Sequence, residues 1–165
     1  RAVARPCRRK WLPGGGNPGR RRAMALQRTF AMIKPDAMEA GHAGAIITRI
    51  LAEGFAIAGM RQVHMTLSQA QGFYAVHSAR PFFGELTTFM SRGPVVVLAL
   101  EADNAVEKWR GVIGDTNPAT AADGTIRKLF GKDVGENATH GSDAPETAAQ
   151  EIGYFFPGCD VSPTA

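Results

Sequence analysis

The sequence predicts one α/β or α+β domain, because strand-like and helix-like segments alternate along most of its 165 residues. The continuous apolar run Val95–Leu100 is typical of a buried strand, and the apolar spacing within Gly44–Glu53 is typical of an amphipathic helix. A chain of this length with 44% hydrophobic residues can bury one core. We therefore expect helices to cover a sheet in a single compact unit.

The first half of the predicted order begins with a strand at Thr29–Ile33 that ends at Lys34. A helix follows over Gly44–Glu53, and Gly54 is the kind of residue that ends a helix. Ala56–Met65 alternates well enough between apolar and polar residues for a second strand.

Two helices are predicted before the third strand. Ser68 and Gln71 have the spacing of a capping box, which predicts a helix from there to His77. A short helix is expected around Leu86–Met90, after the interruption at an Arg-Pro pair. Val95–Glu101 is then predicted as a fully buried strand.

The last third of the chain contains a long segment without clear periodicity. Asn104–Ile113 is predicted to be helical, and residues 114–143 are expected to be irregular. Asp143 and Glu146 are predicted to cap a final helix that runs to Tyr154.

Residues 1–23 differ in composition from the rest of the chain. They carry eight of the 19 basic residues and no acidic residue, together with several prolines and a glycine run. This composition predicts a disordered extension, with the domain itself over residues 24–165. Read-through from an upstream start, a targeting peptide and a nucleic-acid-binding arm all remain open for this segment.

Charge and cysteine usage restrict the class of protein. The residues after the extension carry 11 basic and 15 acidic side chains, so the domain is mildly acidic and we do not expect nucleic acid as a partner. Two cysteines near opposite ends predict neither a disulfide framework nor a metal site. The longest apolar run is too short to cross a bilayer. We therefore expect a cytoplasmic protein without a membrane partner.

A histidine among small residues is the first candidate for chemistry. His140 lies between Thr139 and Gly141, which leave one face of its ring open. An imidazole with the ordinary pKa near 6.5 is mostly neutral at pH 7 and has a lone pair for nucleophilic attack. Residues able to hold phosphate oxygens occur elsewhere in the chain: Lys34, Arg110, Thr116 and Arg127. No G-x-x-x-x-G-K-S/T motif is present, which excludes a P-loop kinase.

Six sequence segments, in order and at matching spacing, carry a resemblance to a known family. They are Arg28-Thr29-Phe30 through Ile33-Lys34-Pro35-Asp36, Arg80-Pro81-Phe82-Phe83, Ser91-Arg92-Gly93-Pro94-Val95, Gly114-Asp115-Thr116-Asn117-Pro118-Ala119, Gly124-Thr125-Ile126-Arg127, and Asn137 to Asp143. On these segments the chain resembles the nucleoside diphosphate kinases. The start Met24-Ala25-Leu26 and the ending Glu151-Ile152-Gly153-Tyr154-Phe155-Phe156 resemble the bacterial branch. The resemblance implies a ferredoxin-like βαββαβ fold with a four-stranded antiparallel sheet. Two departures are Glu39-Ala40, where the family often has a basic residue, and Lys128-Leu129.

The resemblance also implies the site residues. His140 would be the phosphorylated nucleophile, Glu151 from the last helix would orient its ring, and Lys34 and Tyr74 would lie beside the phosphate path. The nucleotide would be bound by Lys34, Phe82, Leu86, Arg110, Thr116, Arg127, Val134 and Asn137. Of these, Arg110, Thr116 and Arg127 would hold phosphates, Lys34 and Asn137 would contact the sugar hydroxyl, and Phe82 would stack on the base between Leu86 and Val134.

The implied reaction moves the terminal phosphoryl group of a nucleoside triphosphate, mainly ATP, to a nucleoside diphosphate through phosphorylated His140. Mg²⁺ would be held mainly by the nucleotide phosphates rather than by protein ligands, and the chain would assemble as a tetramer or hexamer built from dimers. Two other classes stay open from sequence: a nucleotide- or nucleic-acid-binding protein that has lost turnover, and an interaction module that uses the basic extension.

Overall fold

The computed structural model describes residues 26–161, with the side chain of Cys159 left out. The predicted disordered extension at residues 1–23 lies outside the described residues, as does the C-terminal end at residues 162–165. Within residues 26–161 no helix has the length and apolar character that a bilayer span requires.

Four strands and seven helices make up the described part of the chain. The strands are β1 (Leu26–Ile33), β2 (Ala56–Val63), β3 (Val95–Asp103) and β4 (Thr139–Gly141). The helices are α1 (Pro35–Glu39), α2 (Ala43–Ala52), α3 (Leu67–Phe73), α4 (Phe83–Ser91), α5 (Ala105–Ile113), α6 (Ile126–Phe130) and α7 (Pro145–Phe155), with 3₁₀ turns at Ala75–His77 and Gly158–Asp160.

The four strands form one sheet in the order β2-β3-β1-β4, and every neighbouring pair is antiparallel. This order and the helices between the strands are those of the ferredoxin-like fold, so the predicted fold class is confirmed. Strand β1 pairs with β3 along its whole length, from Leu26 opposite Asp103 to Ile33 opposite Val96. The candidate nucleophile His140 lies on β4, at one edge of this sheet.

The sheet has an apolar cluster on each face. One contains Leu98 of β3 together with Ile46 of α2 and Trp109 of α5. The other contains Phe30 and Met32 of β1 together with Met90 of α4, and α3 and α7 also contribute residues to it. The alternation of side chains along β3 supplies both clusters, because successive residues of a strand point to opposite faces. The continuous apolar run at Val95–Leu100 is therefore explained by a strand that is covered on both sides.

The prediction that residues 114–143 are irregular is wrong in two places. The short helix α6 and the strand β4 both lie within this segment. Strand β4 has three residues, too few for an alternating pattern to be recognised in the sequence. It becomes a strand because it pairs with β1, with His140 opposite Met32.

Two predicted helix caps are also wrong. Helix α3 begins after Thr66, whose hydroxyl accepts a hydrogen bond from the backbone of Gln69, while the Gln69 side chain accepts one from the Thr66 backbone. The capping box therefore lies two residues before the predicted Ser68 and Gln71. Helix α7 begins after Ala144, and the Asp143 carboxylate accepts a hydrogen bond from the Thr147 hydroxyl. In both places several Ser, Thr, Asp or Glu residues fit the spacing of a cap. The path of the chain before the helix decides which of them forms the cap.

Candidate active site

A cavity of about 890 Å³ opens between the β4 edge, α4 and the loop that precedes β4. Every site residue predicted from the sequence lines it: Lys34, Tyr74, Phe82, Leu86, Arg110, Thr116, Arg127, Val134, Asn137, His140 and Glu151. These residues come from most of the length of the described chain, and only the fold brings them together.

His140 is oriented by a carboxylate that is itself held in place. Its Nε2 atom lies 2.9 Å from Oε1 of Glu151 on α7. The other carboxylate oxygen accepts a hydrogen bond of 2.5 Å from the buried Ser142 hydroxyl. Because a carboxylate only accepts hydrogen bonds, Nε2 carries the proton in this pair. The lone pair of the neutral ring is then on Nδ1.

The backbone before His140 adopts a conformation that is uncommon for a side-chain-bearing residue. Ala138 has a φ of +66° and is fully buried. Its N–H donates to the Asp36 carboxylate at 2.9 Å, and its carbonyl accepts from the N–H of Lys34 at 2.9 Å. Such a conformation persists only where surrounding contacts impose it. The start of α1 therefore sets the direction in which the chain enters β4 and His140.

The residue after His140 must be glycine, because a tryptophan passes directly against the backbone there. A Cβ atom at Gly141 would lie 2.5 Å from the Trp109 ring, well inside contact distance. The Trp109 indole also donates to the His140 carbonyl at 3.3 Å. Helix α5 thus supports β4 from the face opposite the His140 ring.

Aromatic rings surround the His140 side chain on its own face. The ring centroids of Phe30, Phe73 and Tyr74 lie 6.0, 5.7 and 6.2 Å from that of His140. The Tyr74 hydroxyl is buried without a hydrogen-bond partner in the described structure, although the residue lines the cavity. Burial and, secondarily, the nearby Glu151 charge raise the pKa of Tyr74. This phenol stays protonated and can donate a hydrogen bond to a group in the cavity.

Two arginines supply positive charge beside the nucleophile. Arg127 donates to the carbonyls of Gly114 and Thr139, at 2.9 and 3.1 Å. Burial, together with the charge of Arg110, lowers the pKa of Arg127 to about 10, which still leaves it protonated at pH 7. Two like charges that face one cavity favour an anion between them. The anion-binding character predicted for Arg110 and Arg127 agrees with this arrangement.

A second polar group is formed by Lys34 and Asn137. Lys34 Nζ donates to Asn137 Oδ1 at 2.6 Å, and Asn137 Nδ2 donates to the Thr116 carbonyl at 2.9 Å. Lys34 and Asn137 are only 7% and 2% exposed. Burial is the main cause that lowers the pKa of Lys34 to about 8, with the Arg127 charge as the second.

The opposite end of the cavity is apolar and open. Phe82 and Val134 are 48% and 55% exposed, although both are large hydrophobic residues. Together with Leu86 they line the part of the wall formed by α4 and the loop before β4. An exposed apolar slot of this kind suits a flat ring that stacks rather than one whose edge is read by hydrogen bonds.

Several residues of the site were missed from the sequence, among them Ser142, Arg92 and Glu136. Ser142 orients Glu151, and Arg92 and Glu136 line the cavity and bind each other at 2.6 Å. Ser142 lies in the recognised segment around His140. Its contact with Glu151 was missed because the two residues have no distinctive spacing in the sequence. Arg92 and Glu136 are 44 positions apart, and no sequence pattern links them.

The described residues 26–161 contain no group of three or more His, Cys, Asp or Glu side chains arranged to hold a metal ion. Besides separate carboxylates, the cavity presents cations, an amide and hydroxyls, which are groups that bind phosphate oxygens. A divalent metal would fit this site when its ligands are mainly phosphate oxygens and water.

Comparison with known proteins agrees with the geometry. The family model described as nucleoside diphosphate kinase matches residues 27–161. A nucleoside diphosphate kinase of Sorangium cellulosum is 60% identical over 142 residues, which cover 86% of this chain and 99% of that protein. One of Syntrophotalea carbinolica is 59% identical over 136 residues, covering 82% and 99%.

Solved structures give the same result. The nucleoside diphosphate kinase of Aquifex aeolicus superimposes with a TM-score of 0.81 at 44% identity, over 83% of this chain and 99% of that one. That of Halobacterium salinarum, solved in complex with CDP, has a TM-score of 0.81 at 35% identity, over 84% and 93%. The chain therefore belongs to the nucleoside diphosphate kinase family, whose reaction is phosphoryl transfer between nucleoside triphosphates and diphosphates.

Proposed function

We propose that His140 carries the phosphoryl group between the two half-reactions. Nδ1 attacks the γ-phosphorus of a nucleoside triphosphate, mainly ATP, the bond from phosphorus to the bridging oxygen breaks, and the diphosphate leaves. A second diphosphate then takes the phosphoryl group from Nδ1 and leaves as a triphosphate. The observation that carries this assignment is the hydrogen bond of Nε2 to Glu151, because it leaves the lone pair on Nδ1.

The surrounding residues have roles that follow from their positions. Glu151 keeps His140 in one tautomer and one ring orientation and stabilises the positive charge that the ring gains on phosphorylation. Arg110, Arg127 and Thr116 bind the phosphates, and Tyr74 donates a hydrogen bond along the phosphate path. These groups stabilise the negative charge on the oxygens of the transferring phosphoryl group, and they need not move during the reaction.

The sugar and the base occupy the other half of the cavity. Lys34 and Asn137 contact the sugar hydroxyl, while Phe82 stacks on the base with Leu86 and Val134 at its edges. The bound CDP of the Halobacterium salinarum relative supports a nucleotide in this cavity. An apolar slot accepts every base, so we expect ribonucleotides and deoxyribonucleotides of all bases to react.

Kinases of this family generally use a divalent metal, and here we propose Mg²⁺. Bound to the phosphates, Mg²⁺ would neutralise part of their charge. Arg110, Thr116 and Arg127 would then hold the remaining phosphate oxygens.

Three further assignments extend the proposal. Residues 24–165 form one domain, the enzyme assembles as a tetramer or hexamer of dimers, and it works in the cytoplasm. The mild acidity of the chain after residue 23 and the absence of a nucleic-acid motif from the sequence support nucleotides, rather than a nucleic acid, as its partners.

The test is to incubate the protein with γ-labelled ATP and Mg²⁺ in the absence of an acceptor. We expect the protein to become labelled, and the label should survive alkali and be lost in mild acid, as for a phosphoramidate. Addition of any nucleoside diphosphate should then transfer the label from the protein to the matching triphosphate. His140→Ala should bind nucleotide but take no label. Acid-stable label on Ser142, or labelling of His140→Ala at the rate of the parent chain, would contradict the mechanism.

A further inference from the structure

One guanidinium joins three separate elements beside the cavity. Arg92, which directly follows α4, donates from Nε and Nη2 to both carboxylate oxygens of Glu39 at the end of α1, at 3.0 and 2.8 Å. Its Nη1 donates to Glu136, in the loop before β4, at 2.6 Å. The parallel pair of bonds to Glu39 is the geometry in which an arginine and a carboxylate bind most strongly.

The Arg92 guanidinium also packs against an aromatic ring that reaches the sugar-binding group. Its central carbon lies 4.7 Å from the centroid of the Phe89 ring, and Lys34 Nζ lies 5.8 Å from the same centroid. Arg92, Phe89 and Glu136 all line the cavity, whereas Glu39 lies outside its wall. Glu39 thus anchors Arg92 without being in reach of a nucleotide.

The loop that contains Glu136 leads directly into Asn137. The Asp133 carboxylate accepts from the backbone N–H groups of Gly135 and Glu136, each at 2.8 Å. Lys34 Nζ donates to the Gly135 carbonyl at 3.5 Å and to Asn137 Oδ1 at 2.6 Å. A displacement of Glu136 would therefore move both acceptors of Lys34.

The charges of the network reinforce the contacts. The hydrogen bond from Arg92 is the largest cause that lowers the pKa of Glu136, and the hydrogen bonds to Glu39 and Glu136 raise the pKa of Arg92. Arg92 and Glu136 are therefore both ionised throughout the neutral range. Isolated ion pairs at a protein surface contribute little, but a guanidinium shared by two carboxylates in fixed geometry is the exception.

We propose that Arg92, anchored by Glu39, is a positioning residue that holds the loop 133–137 so that Lys34 and Asn137 meet the sugar hydroxyl of the nucleotide. This inference rests on the proposed sugar contact of Asn137. It assigns a task to Glu39, which stands at one of the two departures from the family pattern. It also explains how a loop with an open apolar residue, Val134, is kept in one conformation.

The test measures kcat and KM of Arg92→Ala and Glu39→Ala with matched nucleotides that do or do not carry a 3′-hydroxyl. For the 3′-hydroxyl substrate, both variants should raise KM by about threefold to tenfold, since a network of this exposure contributes about 1 kcal/mol, and kcat should change less than about twofold. For the 3′-deoxy substrate, KM should change little in either variant. Arg92→Lys keeps the charge but lacks the planar guanidinium group, so its KM for the 3′-hydroxyl substrate should rise by most of the same factor.

Lys132→Ala is the matched control. Lys132 Nζ lies 3.4 Å from the other oxygen of Glu136, so this variant removes one positive charge from the same carboxylate without releasing it from Arg92. It should leave KM unchanged. If Lys132→Ala raises KM as much as Arg92→Ala does, the effect is one of charge alone and positioning by Arg92 is excluded.

A double-mutant cycle with Asn137→Ala separates this inference from the proposed function. Once Asn137 is removed, Arg92→Ala should have almost no further effect on the preference for a 3′-hydroxyl. A full additional loss would overturn the inference, as would an unchanged KM in Arg92→Ala when Asn137→Ala does raise it. If Asn137→Ala itself leaves the preference unchanged, the sugar contact is wrong and the inference falls with it.

Discussion

The two ends of the nucleotide cavity are built in different ways. At the proposed phosphate end, Arg127 donates hydrogen bonds to the carbonyls of Gly114 and Thr139, and His140 is held by Glu151. At the base end, Phe82 and Val134 are about half exposed. The described contacts of the Phe82 ring include the ring of His77, at 5.8 Å between centroids.

This difference corresponds to what each end has to recognise in the proposed function. The transferred phosphoryl group is the same in every substrate, so fixed donors around it lower the barrier for all nucleotides. The bases differ in their edges but share a flat apolar face, so a slot without fixed polar partners accepts them all. A site can thus be strict about chemistry and permissive about substrate when the two tasks are divided between two ends.

The largest effect among the variants that keep the nucleophile is expected from Glu151→Gln, at the phosphate end. The amide keeps the shape but loses the charge that stabilises protonated and phosphorylated imidazole. A charge-assisted hydrogen bond contributes about 1.5–3 kcal/mol, so kcat should fall by about 10- to 100-fold while KM changes little. Steady-state kinetics with Glu146→Gln, an exposed carboxylate in the first turn of the same helix, gives the control. Equal kcat in both variants would remove Glu151 from the mechanism.

A smaller effect, and one on KM instead of kcat, is expected from Phe82→Ala at the base end. Loss of one stacking ring costs about 1–3 kcal/mol by alanine substitution, so KM should rise about tenfold for purine and pyrimidine nucleotides alike. Leu67→Ala is a suitable control, because Leu67 is an exposed apolar residue outside the cavity. A loss confined to one base would mean that the slot reads a base edge, which would end the contrast between the two ends.

The smallest effect is a pH dependence set by Lys34. Its pKa is lowered to about 8, so the free enzyme loses this positive charge as the pH rises through that value. Since kcat/KM reports the free enzyme, it should decline above pH 8, by a few-fold, while kcat should hold to higher pH because bound phosphate favours the charged amine. Lys34→Arg should abolish this decline. If the pH profile of the variant matches that of the parent chain, another group is responsible.

Much of the site could be predicted because its residues lie in short segments with a distinctive order. His140, Arg127 and Lys34 each lie in such a segment, and each lines the cavity. The pairing of Arg92 with Glu39 could not be found in this way, because the two residues are 53 positions apart and no sequence pattern links them. Strand β4 was also missed, because its three residues acquire their conformation only from pairing with β1.

The sequence by itself determined the alternation of strands and helices, the two-sided burial of β3 and the residue types available for phosphate chemistry, because these depend on local periodicity and on side-chain functional groups. The tertiary structure decided where the helices α3 and α7 begin, that His140 lies on a strand, and that its Nε2 rather than its Nδ1 faces Glu151. These features depend on which distant groups come within hydrogen-bond distance, and such distances arise only when the whole chain has packed.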